Sequence, residues 1–187
     1  MPDERRKNLQ HGGSVWRGLA AGLVGGLIAS WTMNRFQDLW SKLAEDNQWS
    51  PNLRISQPGL RPRAEVQQAQ DDTTVKAAAA ISEGLFHHKL TKNEKELAGT
   101  AVHYSLGTGA GGLYGVTAEF APEITAGAGL PFGAAFWLIV DEGAVPLLGL
   151  SKGPAEYPLS THVYSLASHL VFGLTAEVVR GAVRRAL

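Results

Sequence analysis

The chain has 187 residues, 17 basic and 17 acidic side chains, and no cysteine. This length fits one compact domain, and the zero net charge gives no electrostatic basis for binding nucleic acid. The lack of cysteine excludes disulfides, thiolate metal sites and cysteine nucleophiles. The charged residues are spread unevenly, and they leave four uncharged stretches at residues 18–34, 97–118, 124–140 and 157–176.

Each uncharged stretch is 17 to 22 residues long and rich in glycine, alanine, leucine and valine. At about 1.5 Å per residue, helices of this length match the roughly 30 Å hydrocarbon core of a bilayer. A soluble bundle would need a polar residue at every third or fourth position, and residues 18–28 contain none. We therefore predict an all-α fold, a four-helix transmembrane bundle in which residues 1–187 form a single integral membrane domain in a lipid bilayer. The predicted spans are residues 15–35, 97–119, 124–150 and 158–180.

The chain begins with a basic segment, since Arg5, Arg6 and Lys7 precede the first apolar run. Such a start is typical of a signal peptide or of an uncleaved first helix. No convincing small-x-small cleavage site precedes the charged segment, and three further spans follow, so we interpret the run as an uncleaved span. Basic residues near the span ends favour the cytoplasmic side of a membrane. They are concentrated at the N-terminus and in the arginines that end the last span, and we predict that both termini are cytoplasmic.

Small residues recur every fourth position in the first two spans. Such a stripe lets the backbones of two membrane helices approach closely, whereas each glycine in a soluble helix would cost about 1 kcal/mol relative to alanine. We predict glycine-zipper packing between these spans. The same stripes serve contacts between chains, so a homo-oligomer is a second expectation. The predicted packing residues are Gly18, Gly22, Gly26, Gly107, Gly111 and Gly115.

A polar segment, residues 36–96, separates the first two spans. Pro51, Pro58 and Pro62 predict an irregular first half. Apolar residues on one side of residues 73–90 predict a short amphiphilic helix on the membrane surface or at the end of the bundle. The sequence Thr-Lys-Asn-Glu at residues 91–94 is a capping box, which predicts that a new helix begins at Lys92 and continues into the second span.

The last two predicted spans contain prolines. Pro131 and Pro146 lie inside the third predicted span, where each should bend or break the helix and leave carbonyls for neighbouring helices to satisfy. Pro158 is well placed in the first turn of the fourth span.

Ionisable residues within membrane spans are costly and usually face the interior of the bundle. His162, His169 and Glu177 are seven and eight residues apart, a spacing that places them on one face of a helix. With the ionisable residues of the second and third spans they predict a buried polar seam. The seam residues are His103, Glu119, Asp141, Glu142, His162, His169 and Glu177.

Three interpretations of this seam remain open. The side chains can simply pair with one another and fix the helix register. They can relay protons or line an ion path, with histidines that exchange protons near neutral pH. They can also hold a zinc, manganese or iron ion or a haem, for which His103, His162, His169 and Glu177 are the candidates.

No motif in the chain indicates an enzyme. His-Glu-x-x-His, Glu-x-x-His, the Gly-x-Ser-x-Gly elbow and a phosphate-binding loop are all absent from the sequence. We therefore predict no catalytic residue and assign no cofactor.

Several spaced motifs resemble those of a known family. They are Val102-His103-Tyr104, Ala118-Glu119-Phe120-Ala121-Pro122, Val145-Pro146-Leu147-Leu148-Gly149-Leu150, Glu156, Ser168-His169-Leu170-Val171 and Glu177-Val178-Val179-Arg180. Over residues 97–187 the chain resembles the YagU-like family, small bacterial inner-membrane proteins built around a domain of unknown function (DUF1440-like). The resemblance implies a multi-pass protein of the bacterial inner membrane with a link to acid or stress tolerance, and it transfers no catalytic residue.

Overall fold

The computed structural model describes the backbone of residues 14–46 and 64–187, and the side chains of residues 14–40, 42–43 and 73–187. The basic N-terminal segment and the three prolines of the polar segment lie outside these residues. Over the described residues the protein is all-helical and has no strand, which confirms that the fold is all-α. The five helices are α1 (Val15–Asp46), α2 (Ala64–Phe86), α3 (Lys92–Phe120), α4 (Leu130–Leu147) and α5 (Leu159–Ala186).

Helix α1 lies at the centre of the bundle and packs most extensively against α3 and α5. α2 packs against α3, and α4 packs against α5. The backbone N–H of Ser14, just before α1, donates a hydrogen bond to Glu119 near the end of α3. Arg184, near the end of α5, also donates to Glu119. The start of α1 and the ends of α3 and α5 therefore meet at one end of the bundle, so that α1 runs antiparallel to both.

Glycines bring the backbones of α1 and α3 into direct contact. A Cβ atom added to Gly18 would lie 2.6 Å from the carbonyl oxygen of Gly115, and one added to Gly111 would lie 2.5 Å from that of Gly22. Gly26 faces Gly107 in the same way. All six glycines named from the sequence therefore lie in one helix crossing.

A second glycine contact, between α4 and α5, was not predicted. A Cβ atom on Gly173 would lie 2.7 Å from the backbone nitrogen and 2.8 Å from the Cα of Gly133. Gly129 also contacts the backbone of Gly173 and has a φ of +82°, in the left-handed region that favours glycine. Gly129 and Gly133 are four residues apart, so the signal that revealed the first contact is also present here.

Helix α4 begins at Leu130, six residues after the start of the predicted third span, residues 124–150. A 3₁₀ turn covers Pro122–Thr125, and the turn after it contains positive φ angles at Gly127, Ala128 and Gly129. Pro131 was expected to bend or break the helix, but it lies in the first turn of α4. Backbone N–H groups in the first turn have no partner within the helix, so the lack of an N–H in proline costs no hydrogen bond there.

Helix α4 changes its geometry ahead of Pro146. It is α-helical over Leu130–Ile139, forms a π-helical turn over Val140–Ala144, and ends with the turn Val145–Leu147. Proline removes a backbone donor from a helix, and π-helical turns are one place where a chain absorbs such an irregularity.

The two helix boundaries around residue 90 follow from local chemistry. α3 begins at Lys92, as the capping box predicts, and the Thr91 N–H donates to the Glu94 carboxylate over 2.7 Å. α2 ends at Phe86, four residues before its predicted end. His87 has a φ of 52°, and a residue in this left-handed conformation terminates a helix.

The interior is small, and many large apolar side chains face outward. Ala29, Met33, Phe172 and Ala176 form a buried cluster, whereas residues such as Leu27, Trp31, Leu138 and Ile139 are exposed. Within the described residues two helices, Leu130–Leu147 and Leu159–Ala186, are long and apolar enough to cross a membrane.

Candidate acid–histidine site and cavity

The structure divides the predicted polar seam into two groups of side chains at opposite ends of the bundle. The first group, here called the acid–histidine cluster, contains Asp141 and Glu142 of α4 together with His162, Ser165 and His169 of α5. Asp141 and Glu142 lie on the π-helical turn of α4. π-helical turns occur frequently at functional sites, and this one presents two successive carboxylates to α5.

Glu142 and His162 form the closest pair in the cluster. His162 Nδ1 lies 2.6 Å from Glu142 Oε1, and His162 Nε2 lies 3.1 Å from the carbonyl oxygen of Pro154. Both ring nitrogens therefore face oxygen acceptors. A neutral imidazole has only one N–H, so both contacts are hydrogen bonds only when the pair holds an additional proton.

Asp141 has a different set of partners. It accepts a hydrogen bond from the Ser165 hydroxyl, and His169 Nδ1 lies 3.8 Å from its Oδ2. The same His169 nitrogen lies 3.0 Å from the backbone oxygen of Ser165, an acceptor that requires a proton on Nδ1. In the described part of the chain, the ion pairs of Asp141 and Glu142 are with histidines rather than with lysine or arginine.

A cavity of about 1140 Å³ adjoins this cluster. Its wall includes all five cluster residues, the polar pair Asn34 and Tyr104, and the apolar side chains of Met33, Phe136 and Phe172. Asn34 Nδ2 donates to the Tyr104 hydroxyl over 3.3 Å. His103, a predicted seam residue, also lines the cavity, and its buried Nε2 has no hydrogen-bond partner among the described residues.

The second group, here called the arginine–glutamate cluster, contains Glu119, Glu177, Arg180, Arg184 and Tyr114. Arg184 Nε and Nη2 donate to Glu119 over 2.5 and 3.0 Å. Arg180 Nε and Nη2 donate to Glu177 over 2.7 and 2.8 Å, and the Tyr114 hydroxyl donates to Glu177 over 2.9 Å. Each glutamate therefore has a two-pronged arginine partner, the strong geometry for such a pair.

An aromatic barrier lies between the two clusters. The rings of Phe136 and Phe172 are 5.3 Å apart, and Phe132 lies 6.1 Å from each of them. Tyr114 stacks on Phe132 at one end, and His169 contacts Phe136 at the other. On α5 the nearest members of the two clusters, His169 and Glu177, are eight residues apart, or about 12 Å along the helix.

The metal interpretation receives no support from the side-chain geometry. Within the described residues, no three of the histidine, aspartate and glutamate side chains are arranged to hold a metal ion. Glu177, one of the four candidate ligands, pairs with Arg180 in the other cluster, away from the three histidines.

Sequence reasoning missed the residues that neutralise the seam. Arg180 and Arg184 were interpreted only as the basic end of a span, although the three-residue spacing of Glu177 and Arg180 is a recognisable helix pair. Pairing between Glu119 and Arg184 joins residues 65 apart, and no local pattern predicts it.

Within the described residues, the protein is a helical bundle with two helices long and apolar enough to cross a membrane. Carboxylates and histidines line its cavity. The chain belongs to the family described as Protein of unknown function (DUF1440), whose sequence model matches residues 60–178. This range contains all seven predicted seam residues. The match confirms the DUF1440 resemblance that the motifs indicated. Comparison with curated proteins and with solved structures gives no significant match.

Proposed function

We propose that this protein crosses the bacterial inner membrane four times, through α1, α3, α4 and α5, with both termini in the cytoplasm. The low burial of its apolar helices supports this proposal, because only 6% of the residues in Leu130–Leu147 are buried. In a soluble protein the most apolar helix lies in the core. The uncharged stretches within α1 and α3, residues 18–34 and 97–118, are long enough to span a bilayer.

The contacts between α1 and α3 support glycine-zipper packing within that bundle. Lipid tails are as apolar as leucine, so close backbone contact and van der Waals packing hold membrane helices together. The glycines of α1 and α3 lie close enough that a single methyl group at several of them would overlap backbone atoms.

We further propose that the acid–histidine cluster takes up and releases protons through the cavity. The observation that carries this proposal is the environment of His162, both of whose ring nitrogens face acceptors, one of them the Glu142 carboxylate. A proton held jointly by this pair can be exchanged with water in the cavity. Histidine is the side chain that ordinarily changes charge between about pH 5 and 8, the range in which such exchange would support acid or stress tolerance.

The proposed exchange takes place with one side of the membrane. The phenylalanines of the aromatic barrier separate the cavity from Glu177, and the arginine–glutamate cluster neutralises the opposite end. Passage of protons to that end would require a conformation in which Phe132, Phe136 and Phe172 move apart.

A titration of proton uptake tests the proposal. The purified protein in lipid nanodiscs is titrated between pH 8 and 5, and Glu142→Gln is compared with Glu96→Gln, an exposed glutamate on the cavity wall. Glu96→Gln removes an exposed carboxylate of the cavity wall, and its uptake curve is the reference for that of Glu142→Gln. If Glu142 and His162 share a proton, their titrations are coupled, and Glu142→Gln should alter the curve by up to about one proton.

The opposite result has a clear meaning. If the Glu142→Gln curve superimposes on that of the parent while the variant remains folded, the pair does not share an exchangeable proton. The cluster then has only a structural role, which is to fix the register of α4 against α5.

A further inference from the structure

The chemistry of the cavity wall points to a ligand larger than a proton. The cavity volume of about 1140 Å³ slightly exceeds the roughly 300–1,000 Å³ of pockets that bind drug-sized molecules. A bare ion would leave most of this space to water. The wall combines the carboxylates of the acid–histidine cluster with the rings of Phe136 and Phe172 and the thioether of Met33.

The carboxyl group of Asp141 lies on the inner wall of the cavity. Its side chain is 27% exposed, and its partners are the Ser165 hydroxyl and His169. His169 Nδ1 donates to a backbone oxygen, a contact that a neutral imidazole satisfies. The basic residues on the cavity wall are exposed, and one of them, Arg35, is paired with Asp38 over 3.2 Å.

We propose that the cavity binds a lipophilic organic cation, with the positive centre at Asp141 and the apolar groups against Phe136, Phe172 and Met33. A carboxylate that has no lysine or arginine partner among the described residues attracts a cation in a site of low polarity, and aromatic faces add cation–π attraction. Buried His103 Nε2, which lacks a partner among the described residues, supplies a polar group for the same ligand. The inference deepens the proposed function and rests on it, because both use one water-accessible cavity.

A pair of rigid ions of the same shape and opposite charge tests this inference. Tetraphenylphosphonium and tetraphenylborate are each titrated into the purified full-length protein in detergent by equilibrium dialysis. We expect the parent to bind the cation at least tenfold more tightly than the anion. Asp141→Asn should weaken cation binding at least tenfold, whereas Asp38→Asn, which removes a carboxylate of the cavity wall that is paired with Arg35, should change it less than threefold.

Other results overturn the inference. It is wrong if the parent binds neither ion, binds both equally, or retains its cation affinity in Asp141→Asn. Should that variant fail to fold, the preference of the parent between the two ions decides the question alone. The outcomes also separate the two proposals: proton uptake dependent on Glu142 without cation binding removes the ligand alone, whereas cation binding without such uptake removes the proton-sharing role alone.

Discussion

The substitution Gly111→Ala is expected to force α1 and α3 apart. A Cβ atom at residue 111 would lie 2.5 Å from both the carbonyl oxygen of Gly22 and the Cα of Gly26, whereas ordinary contact begins near 3.4 Å. Both neighbours are backbone atoms that cannot rotate away. A helix must therefore shift by about 1 Å, the difference between these two distances.

Two opposing effects determine how much Gly111→Ala changes the free energy of unfolding. Alanine favours a helix by about 1 kcal/mol relative to glycine, and overpacking a well-packed interior costs about 1–3 kcal/mol. Because backbone atoms form the obstacle, we expect the overpacking to cost about 3 kcal/mol or more. The helix propensity of alanine offsets about 1 kcal/mol of this cost, so the free energy of unfolding should fall by about 2 kcal/mol. The matched control is Gly109→Ala on the same helix, where an added Cβ meets nothing within 4 Å. This control should be neutral or stabilising by up to about 1 kcal/mol.

The assay is reversible unfolding in mixed micelles with increasing sodium dodecyl sulfate, followed by circular dichroism. The two substitutions make the same chemical change two residues apart, so their difference isolates the contact with α1. If Gly111→Ala is as stable as Gly109→Ala, then α1 and α3 do not touch at Gly111, and the close crossing described here is wrong.

Two further predictions concern charged groups near the ends of helices. Arg184→Ala removes the arginine partner of Glu119, whose side chain is 6% exposed. It should lower the free energy of unfolding by about 1–3 kcal/mol. Addition of Glu119→Gln in a double variant should restore part of this loss in the same unfolding assay, and full additivity of the two losses would contradict the pairing. The Thr91 backbone N–H holds the pKa of Glu94 below its ordinary value, so this carboxylate stabilises the start of α3 above about pH 4.3 and loses that effect as the pH falls through the lower folded-state pKa. The protection factors of the amides at the start of α3, which are corrected for the intrinsic pH dependence of exchange, should therefore fall in acid in the parent but change little with pH in Glu94→Gln, and identical pH profiles would refute the assignment.

Local signals in the sequence predicted much of the fold. The capping box at residues 91–94 located the start of α3, and Pro158 predicted the start of α5, which follows it directly. These features act through hydrogen bonds and sterics within one turn of helix, so they can be interpreted without knowledge of the tertiary structure.

The form of α4 could not be predicted in the same way. The apolar composition of residues 124–140 is compatible with one continuous span, yet a turn containing Gly127 and Gly129 delays the helix to Leu130. Closure of this turn places Gly129 against Gly173 of α5. The contact is tertiary, and periodicity within one segment carries no information about it.

The candidate site was predicted as a set of residues but not as an arrangement. Periodicity placed His162, His169 and Glu177 on one face of α5, and all three side chains are largely buried or in pairs. Their division between two clusters depends on their partners. The two histidines contact carboxylates on the π-helical turn of α4, whereas Glu177 contacts Tyr114 of α3 and Arg180 of α5. Helix spacing alone does not specify these partners.

The central claim is that the bundle crosses a membrane with the cavity and the chain termini on opposite sides. Because the chain has no cysteine, single thiols can be introduced by Thr161→Cys on the cavity wall and by Leu187→Cys at the end of the chain. These positions are 26 residues apart, or about 39 Å along α5. Intact bacterial cells that produce each variant are treated with a membrane-impermeant maleimide.

Thr161→Cys should react in intact cells, whereas Leu187→Cys should react only after the cells are lysed. The proposed topology is contradicted if both thiols react from the same side of the membrane, or if Thr161→Cys stays unreactive after lysis while Leu187→Cys is labelled.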